Sequence, residues 1–179
     1  GTLPCGQTYL ESDRTRPVSA YGRSKLQGEK AAQESPDSLV VRTCGLYSVS
    51  SRNSFAWTIL RLAHTHRTLR VVSDQWCTPT FAPDLAKAVA FLIQRDASGI
   101  YHVTNAGHVS WHQFAEYVLT QAGLNDVDLV GITSEEYGAT AERPANSVLN
   151  TSKYERLGGP VIRHWRDAVA EWGICCKIK

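Results

Sequence analysis

The sequence predicts an α/β fold in which the strands pair in parallel. Short β-branched runs alternate along the 179 residues with stretches whose apolar positions recur every three to four residues. The start and stop residues of these stretches fall where the period changes, and strands and helices at such spacings fit neither a sandwich nor a bundle.

Residues 1–16, rich in Gly, Pro, Thr and Ser, show neither period and read as an N-terminal loop. Pro17 sets the start of a first helix, over about 17–34, with Tyr21, Lys25, Gly28 and Ala32 on one side. A glycine inside a helix costs about 1 kcal/mol against alanine, so a closely packed partner is expected over Gly28. SLVVRT (38–43), bounded by Ser-Pro-Asp and Gly45, has the composition of a buried parallel strand. In 53–66 the apolar stripe is Phe55, Ile59, Leu62 and Ala63, and LRVVSD (69–74) follows as a strand. The helix over 83–95 has Pro83 at its first position and Asp84 in its positive first turn, with Leu85, Val89 and Leu92 inward. GIYHVTN (99–105) is a strand. Ser110 and Gln113 form a capping box, Phe114, Val118 and Leu119 the stripe behind it, and Gly123 the left-handed stop. VDLVGIT (127–133) is a strand, residues 139–154 have weak periodicity, and WRDAVAEWG closes the chain.

Composition narrows the function classes. A formal charge of +2 with interspersed signs gives no footprint for nucleic acid or an anionic membrane, and no run approaches the roughly 18 apolar residues of a membrane span. Cys5, Cys44, Cys77, Cys175 and Cys176 show neither zinc spacing nor a disulfide framework, which points to reduced thiols and a cytoplasmic protein. The six histidines have no metal spacing.

Tyr21 and Lys25 carry the clearest chemistry. Four residues apart on a helix, their Cβ atoms lie about 5–6 Å apart, and an ammonium there favours a phenolate, making the tyrosine a proton donor. Such an acid works beside a nicotinamide held by a glycine-rich βαβ unit, and no such unit occurs in this sequence. With no Met and a leading Gly, the expectation is that a cofactor domain precedes residue 1 in a longer parent.

YGRSKLQGE, the strand ending in RT, NSFAWTILRLA, LRVVSDQWCTPTFAPDLAKAV, GIYHVTNAGHVSWHQFAEYV and ERPANSVLNTSKYERLG together resemble the dTDP-4-dehydrorhamnose reductases, in order and spacing, across residues 4–173. The resemblance implies late strands and helices of a Rossmann-type parallel sheet plus a small α/β substrate-binding lobe. Residues 17–179 would then be the substrate-binding portion with the catalytic helix. Tyr21 would protonate the sugar's C4 oxygen as hydride arrives from NADPH or NADH; Lys25 would assist it and hold the nicotinamide ribose. Asn53, Gln75, Pro79, Thr80, Arg143, Asn146 and Ser147 would bind the nucleotide-sugar. Each has a plainer reading as a cap, a turn or a loop bond, and Asn53 in particular suits a helix cap.

Asp84 aligns with a carboxylate that some members link to a metal such as Mg2+, although the helix dipole already explains it. The exposed face of the first helix leaves a homodimer open. Where many members carry an aromatic that stacks on the sugar, this chain has Gly45, so another nucleotide-sugar stays open. So do a non-catalytic module like the methionine adenosyltransferase regulatory subunits and a nucleotide-sugar epimerase or dehydratase. This chain alone is expected neither to bind the cofactor tightly nor to turn over.

Overall fold

The computed structural model describes residues 7–175; residues 1–6 of the expected loop, with Cys5, and Cys176 lie outside the described residues. In chain order the elements are α1 (Ala20–Ala32), β1 (Leu39–Arg42), β2 (Leu46–Tyr47), α2 (Phe55–Ala63), β3 (Thr68–Val72), β4 (Trp76–Cys77), β5 (Thr80–Phe81) and α3 (Ala82–Gln94). There follow β6 (Gly99–His102), β7 (Val109–Ser110), α4 (Trp111–Gln121), β8 (Asp128–Ile132), α5 (Ser134–Tyr137), α6 (Ser152–Arg156) and α7 (Trp165–Cys175).

The pairing is parallel, as the alternation predicts. β1 runs beside β6 from Leu39↔Gly99 to Arg42↔His102, and β3 beside β8 from Thr68↔Asp128 to Val72↔Ile132. β2 and β5 form a third parallel pair, and β4 with β7 an antiparallel one. These last four strands have two residues each, too few for a period to show in sequence. β1 is half-buried rather than buried, because it has one partner strand and α1 beside it buries no residue.

α1 begins at Ala20, not at Pro17. Ser19 is extended, and its hydroxyl accepts the Gly22 N–H at 3.1 Å, so a serine cap sets the start. A Cβ at Gly28 would meet nothing within 4 Å, so the close partner expected over it is not among the described residues. The buried face of α2 is Ala56, Ile59 and Leu60; Phe55, Leu62 and Ala63 pack at its margin. α3 carries Pro83 in its first turn but buries Ala88 and Leu92, leaving Leu85 and Val89 half-buried. α4 has the Ser110–Gln113 capping box and buries Phe114, Ala115, Val118 and Leu119. Gly123 follows it at φ +70°. A second capping box, Thr133 with Glu136, opens α5, where the sequence reading placed only the end of a strand.

Two apolar clusters result. The larger packs α2, α4 and α7 around Tyr47, Phe81, Phe114 and Trp172. The smaller joins α3, β6 and α6 through Leu92, Tyr101, Val103 and Tyr154. Each fully buried side chain of this size stabilises by about 1.5–3 kcal/mol, so both clusters hold their strand ends in fixed register. Among the described residues no helix is long and apolar enough to cross a membrane.

Candidate active site

The carboxyl ends of parallel strands are where α/β folds gather ligands, and here β1 and β6 end at the paired residues Arg42 and His102. The Arg42 guanidinium reaches α1 as a fork, donating from Nε and Nη2 to the two Glu29 carboxylate oxygens at 2.8 and 2.5 Å. Nη1 lies 3.4 Å from His102 Nε2. If Nε2 accepts there, Nδ1 carries the proton, and it faces the Tyr9 carbonyl at 3.1 Å. The His102 backbone N–H donates to Glu11. Burial, reinforced by the Arg42 charge, holds the His102 pKa below its ordinary value against the opposing pull of Glu11 and of the Tyr9 and Asn150 backbone.

Glu29 lies one turn beyond Lys25, and Lys25 one turn beyond Tyr21. The arginine fork therefore holds a helix that otherwise buries nothing. Tyr21 is 72% exposed, with the Lys25 ammonium 5.4 Å from its ring centroid. Phenol and ammonium stand together on an open face.

The chain after β1 folds against the 75–80 segment. The Cys44 thiol donates to the Thr78 carbonyl at 3.3 Å, and burial raises its pKa to about 11. Gly45 has φ +58°, and a Cβ there would lie 2.8 Å from the Thr78 carbonyl oxygen. Glycine is what this backbone requires. Thr43 Oγ1 is buried with no hydrogen-bond partner.

The structure brings two of the expected substrate segments together. Trp76 bridges Asn146 in parallel, with Trp76 N–H donating to the Ala145 carbonyl at 2.8 Å and Ser147 N–H to the Trp76 carbonyl at 2.9 Å. The Ser147 hydroxyl also donates to the Trp76 carbonyl at 3.0 Å. Asn146, 2% exposed, donates to the Gln7 carbonyl and accepts the Val148 N–H. Gln75 donates its amide to the Ser134 hydroxyl at 2.9 Å, Thr80 donates to the Thr78 carbonyl, and Pro79 is buried beside Gly45. Arg143 and Asn53 are exposed. Among the described residues no hydrogen bond or ring contact joins Tyr21 or Asn53 to these segments.

At α2 the N-cap is Ser54 and not Asn53. Its hydroxyl makes no capping bond and is buried without a partner, no acid occupies the first turn, and the guanidinium of neighbouring Arg52 lies 4.0 Å from the Trp57 ring centroid. A helix N-terminus with such surroundings suits an anion. The sequence reading missed Ser54 because Asn53 satisfies the same capping preference one residue earlier.

Asp84 is committed elsewhere. Its oxygens accept from Arg163 Nε at 2.9 Å and Nη2 at 3.1 Å, and from Asn105 Nδ2 at 2.9 Å. Arg163 also pairs with Glu171. A carboxylate already held by a guanidinium fork does not fit a metal ligand, and the described residues contain no group of three His, Cys, Asp or Glu placed to hold one. A cleft of about 540 Å³ between α4 and the start of α7 is lined by none of the expected site residues.

The family described as RmlD substrate binding domain matches residues 4–173. The spore coat polysaccharide biosynthesis protein SpsK of Bacillus subtilis is 42% identical over 167 residues, which are 93% of this chain and 58% of that protein. A crystal structure of a dTDP-4-dehydrorhamnose reductase from Clostridium acetobutylicum superposes with TM-score 0.91 at 35% identity, covering 97% of this chain and 61% of the other. The dTDP-4-dehydrorhamnose reductase of Bacillus anthracis, crystallised in complex with NADP, gives TM-score 0.88 at 32% identity over 93% of this chain and 59% of its own. The chain thus spans about three-fifths of the length of the proteins it matches.

Proposed function

Since the chain belongs to the RmlD substrate-binding domain family, we propose that it supplies the proton donor and the nucleotide-sugar surface of an NAD(P)H-dependent reductase. The reaction is dTDP-4-dehydro-L-rhamnose to dTDP-L-rhamnose. The observation that carries this reading is the Tyr21–Lys25 pair, side by side on an open helix face that Glu29 and Arg42 fix to the ends of β1 and β6.

A reduced nicotinamide, when bound, supplies the hydride for C4. Tyr21 and Lys25 fit its ribose end, being exposed and adjacent, and the NADP complex of the Bacillus anthracis relative supports that class of cofactor. The described residues contain no glycine-rich strand-to-helix turn for a pyrophosphate, so tight binding of the cofactor is not expected of this chain by itself. Tyr21 donates its phenolic proton to the C4 oxygen, and the Lys25 ammonium stabilises the phenolate left behind.

Arg143 and Asn53, both exposed, are the groups that would reach the nucleotide diphosphate and sugar, with buried Gln75 and Ser54 holding the segments beside them. Pro79, Thr80, Asn146 and Ser147 would act by fixing the backbone of those segments. A forked guanidinium on an exposed loop suits a diphosphate, a charge-assisted contact of about 1.5–3 kcal/mol.

Joined to the nicotinamide-binding half of one of its relatives, the chain should oxidise NADPH only when the ketosugar is present. Tyr21→Phe should slow that reaction by about 10²–10⁴-fold. Full activity in the variant would refute the role given to Tyr21.

A further inference from the structure

The cleft between α4 and the start of α7 is lined by none of the side chains assigned to the nucleotide-sugar. Its volume, about 540 Å³, lies within the range of about 300–1,000 Å³ usual for small-molecule sites. Five rings line it. Trp76 meets His108 edge-on with centroids 5.9 Å apart, and Trp165 meets Tyr117 edge-on at 5.1 Å. The floor is fixed: Trp165 is buried, and a Cβ on Gly107 would collide with the His164 ring. His164 Nδ1 in turn accepts the Arg166 N–H.

The polar groups are as specific as the rings. The Arg166 guanidinium lies over Trp165 and Tyr117, at 5.3 and 5.5 Å from their centroids, and pairs with no carboxylate among the described residues. Glu116 and Gln113 face the same space from α4, Gln113 with its Oε1 accepting the Ser110 N–H of the capping box and its amide N–H groups left over. One cation and one anion cancel, so the cleft has no net charge to attract an ionic ligand. It offers apolar ring surface beside planar groups that accept and donate hydrogen bonds in pairs.

We propose that this cleft binds an uncharged saccharide of one or two rings, whose C–H faces lie on Trp76 and Tyr117 while adjacent hydroxyls bridge Glu116 and Arg166. This second sugar site shares Trp76 with the 75–80 segment but uses none of the side chains assigned to the nucleotide-sugar. It does not depend on the reductase reading.

The 179-residue chain, labelled with ¹⁵N, can be titrated with methyl α-L-rhamnoside, methyl α-D-glucoside and maltose while amide resonances are followed. At least one of the three should produce saturable shifts confined to His108, residues 113–120 and residues 164–166. Glu116→Gln and Arg166→Ala, both at exposed positions, should each weaken that binding at least tenfold, whereas Arg143→Ala should leave it unchanged. Absence of saturable shifts with all three sugars would overturn the proposal. So would binding that survives both substitutions, or shifts in these residues produced by thymidine diphosphate and by none of the sugars.

Discussion

Gly45 shows how a single residue sets the course of the chain between β1 and the 75–80 segment. Its φ of +58° and the 2.8 Å approach of a would-be Cβ to the Thr78 carbonyl leave no room for an aromatic side chain there. The left-handed conformation alone costs a non-glycine residue about 1–2 kcal/mol. Gly45→Ala should therefore lower the unfolding free energy by about 1–3 kcal/mol in urea titrations, the contact with Thr78 adding to the backbone term. A neutral effect would mean that the turn has a second accessible conformation. His102 makes a prediction in pH. Its folded pKa lies below the unfolded value of about 6.5, so the unfolded chain binds the extra proton first. Stability then rises with pH between the folded pKa and about 6.5, and is lost as pH falls through that window. The groups facing it are Arg42, Glu11 and the backbone of Tyr9 and Asn150, and the carboxyls of Asp74 and Glu136 are lowered from ordinary values of 3.8 and 4.5. Thermal unfolding should show the midpoint dropping from pH 7 to pH 5, and His102→Gln should flatten that slope.

Among the elements, α1 is the one whose position depends most on a few polar atoms. It buries no residue, while Glu29 and Arg42 are largely shielded and form two charge-assisted bonds. Arg42→Gln should raise amide hydrogen exchange across residues 20–32 by about tenfold or more, leaving α4 unchanged, because exchange reports local opening. Exchanging the two charges, with Glu29→Arg and Arg42→Glu together, should recover part of the protection. If α1 exchanges equally fast in the wild-type chain and in Arg42→Gln, the fork is not its anchor. Its open face, with Tyr21 exposed, is also the face a cofactor domain or a second chain would cover in the proposed enzyme.

At the scale of the molecule, the larger cluster gathers distant segments onto one tryptophan. Trp172 packs edge-on against Tyr47 and Trp57, and its indole N–H shares the Ser48 carbonyl with that of Trp57. Trp172→Ala should cost about 3–5 kcal/mol, a large part of the roughly 5–15 kcal/mol that holds a domain together. Urea unfolding should show it as a lower midpoint. The sequence by itself determined the α/β class, the long strands and helices, the capping box at Ser110 and the Tyr21–Lys25 pair, because each is a local pattern written in consecutive residues. It could not determine that the buried face of α2 is turned toward Ala56 and Leu60, or that Asp84 belongs to Arg163. Nor could it show that residues 75–80 lie against both Gly45 and residues 143–147. Those outcomes depend on which distant surfaces meet, and partners up to 142 residues apart in the chain leave no periodic trace. Only the tertiary structure decided them.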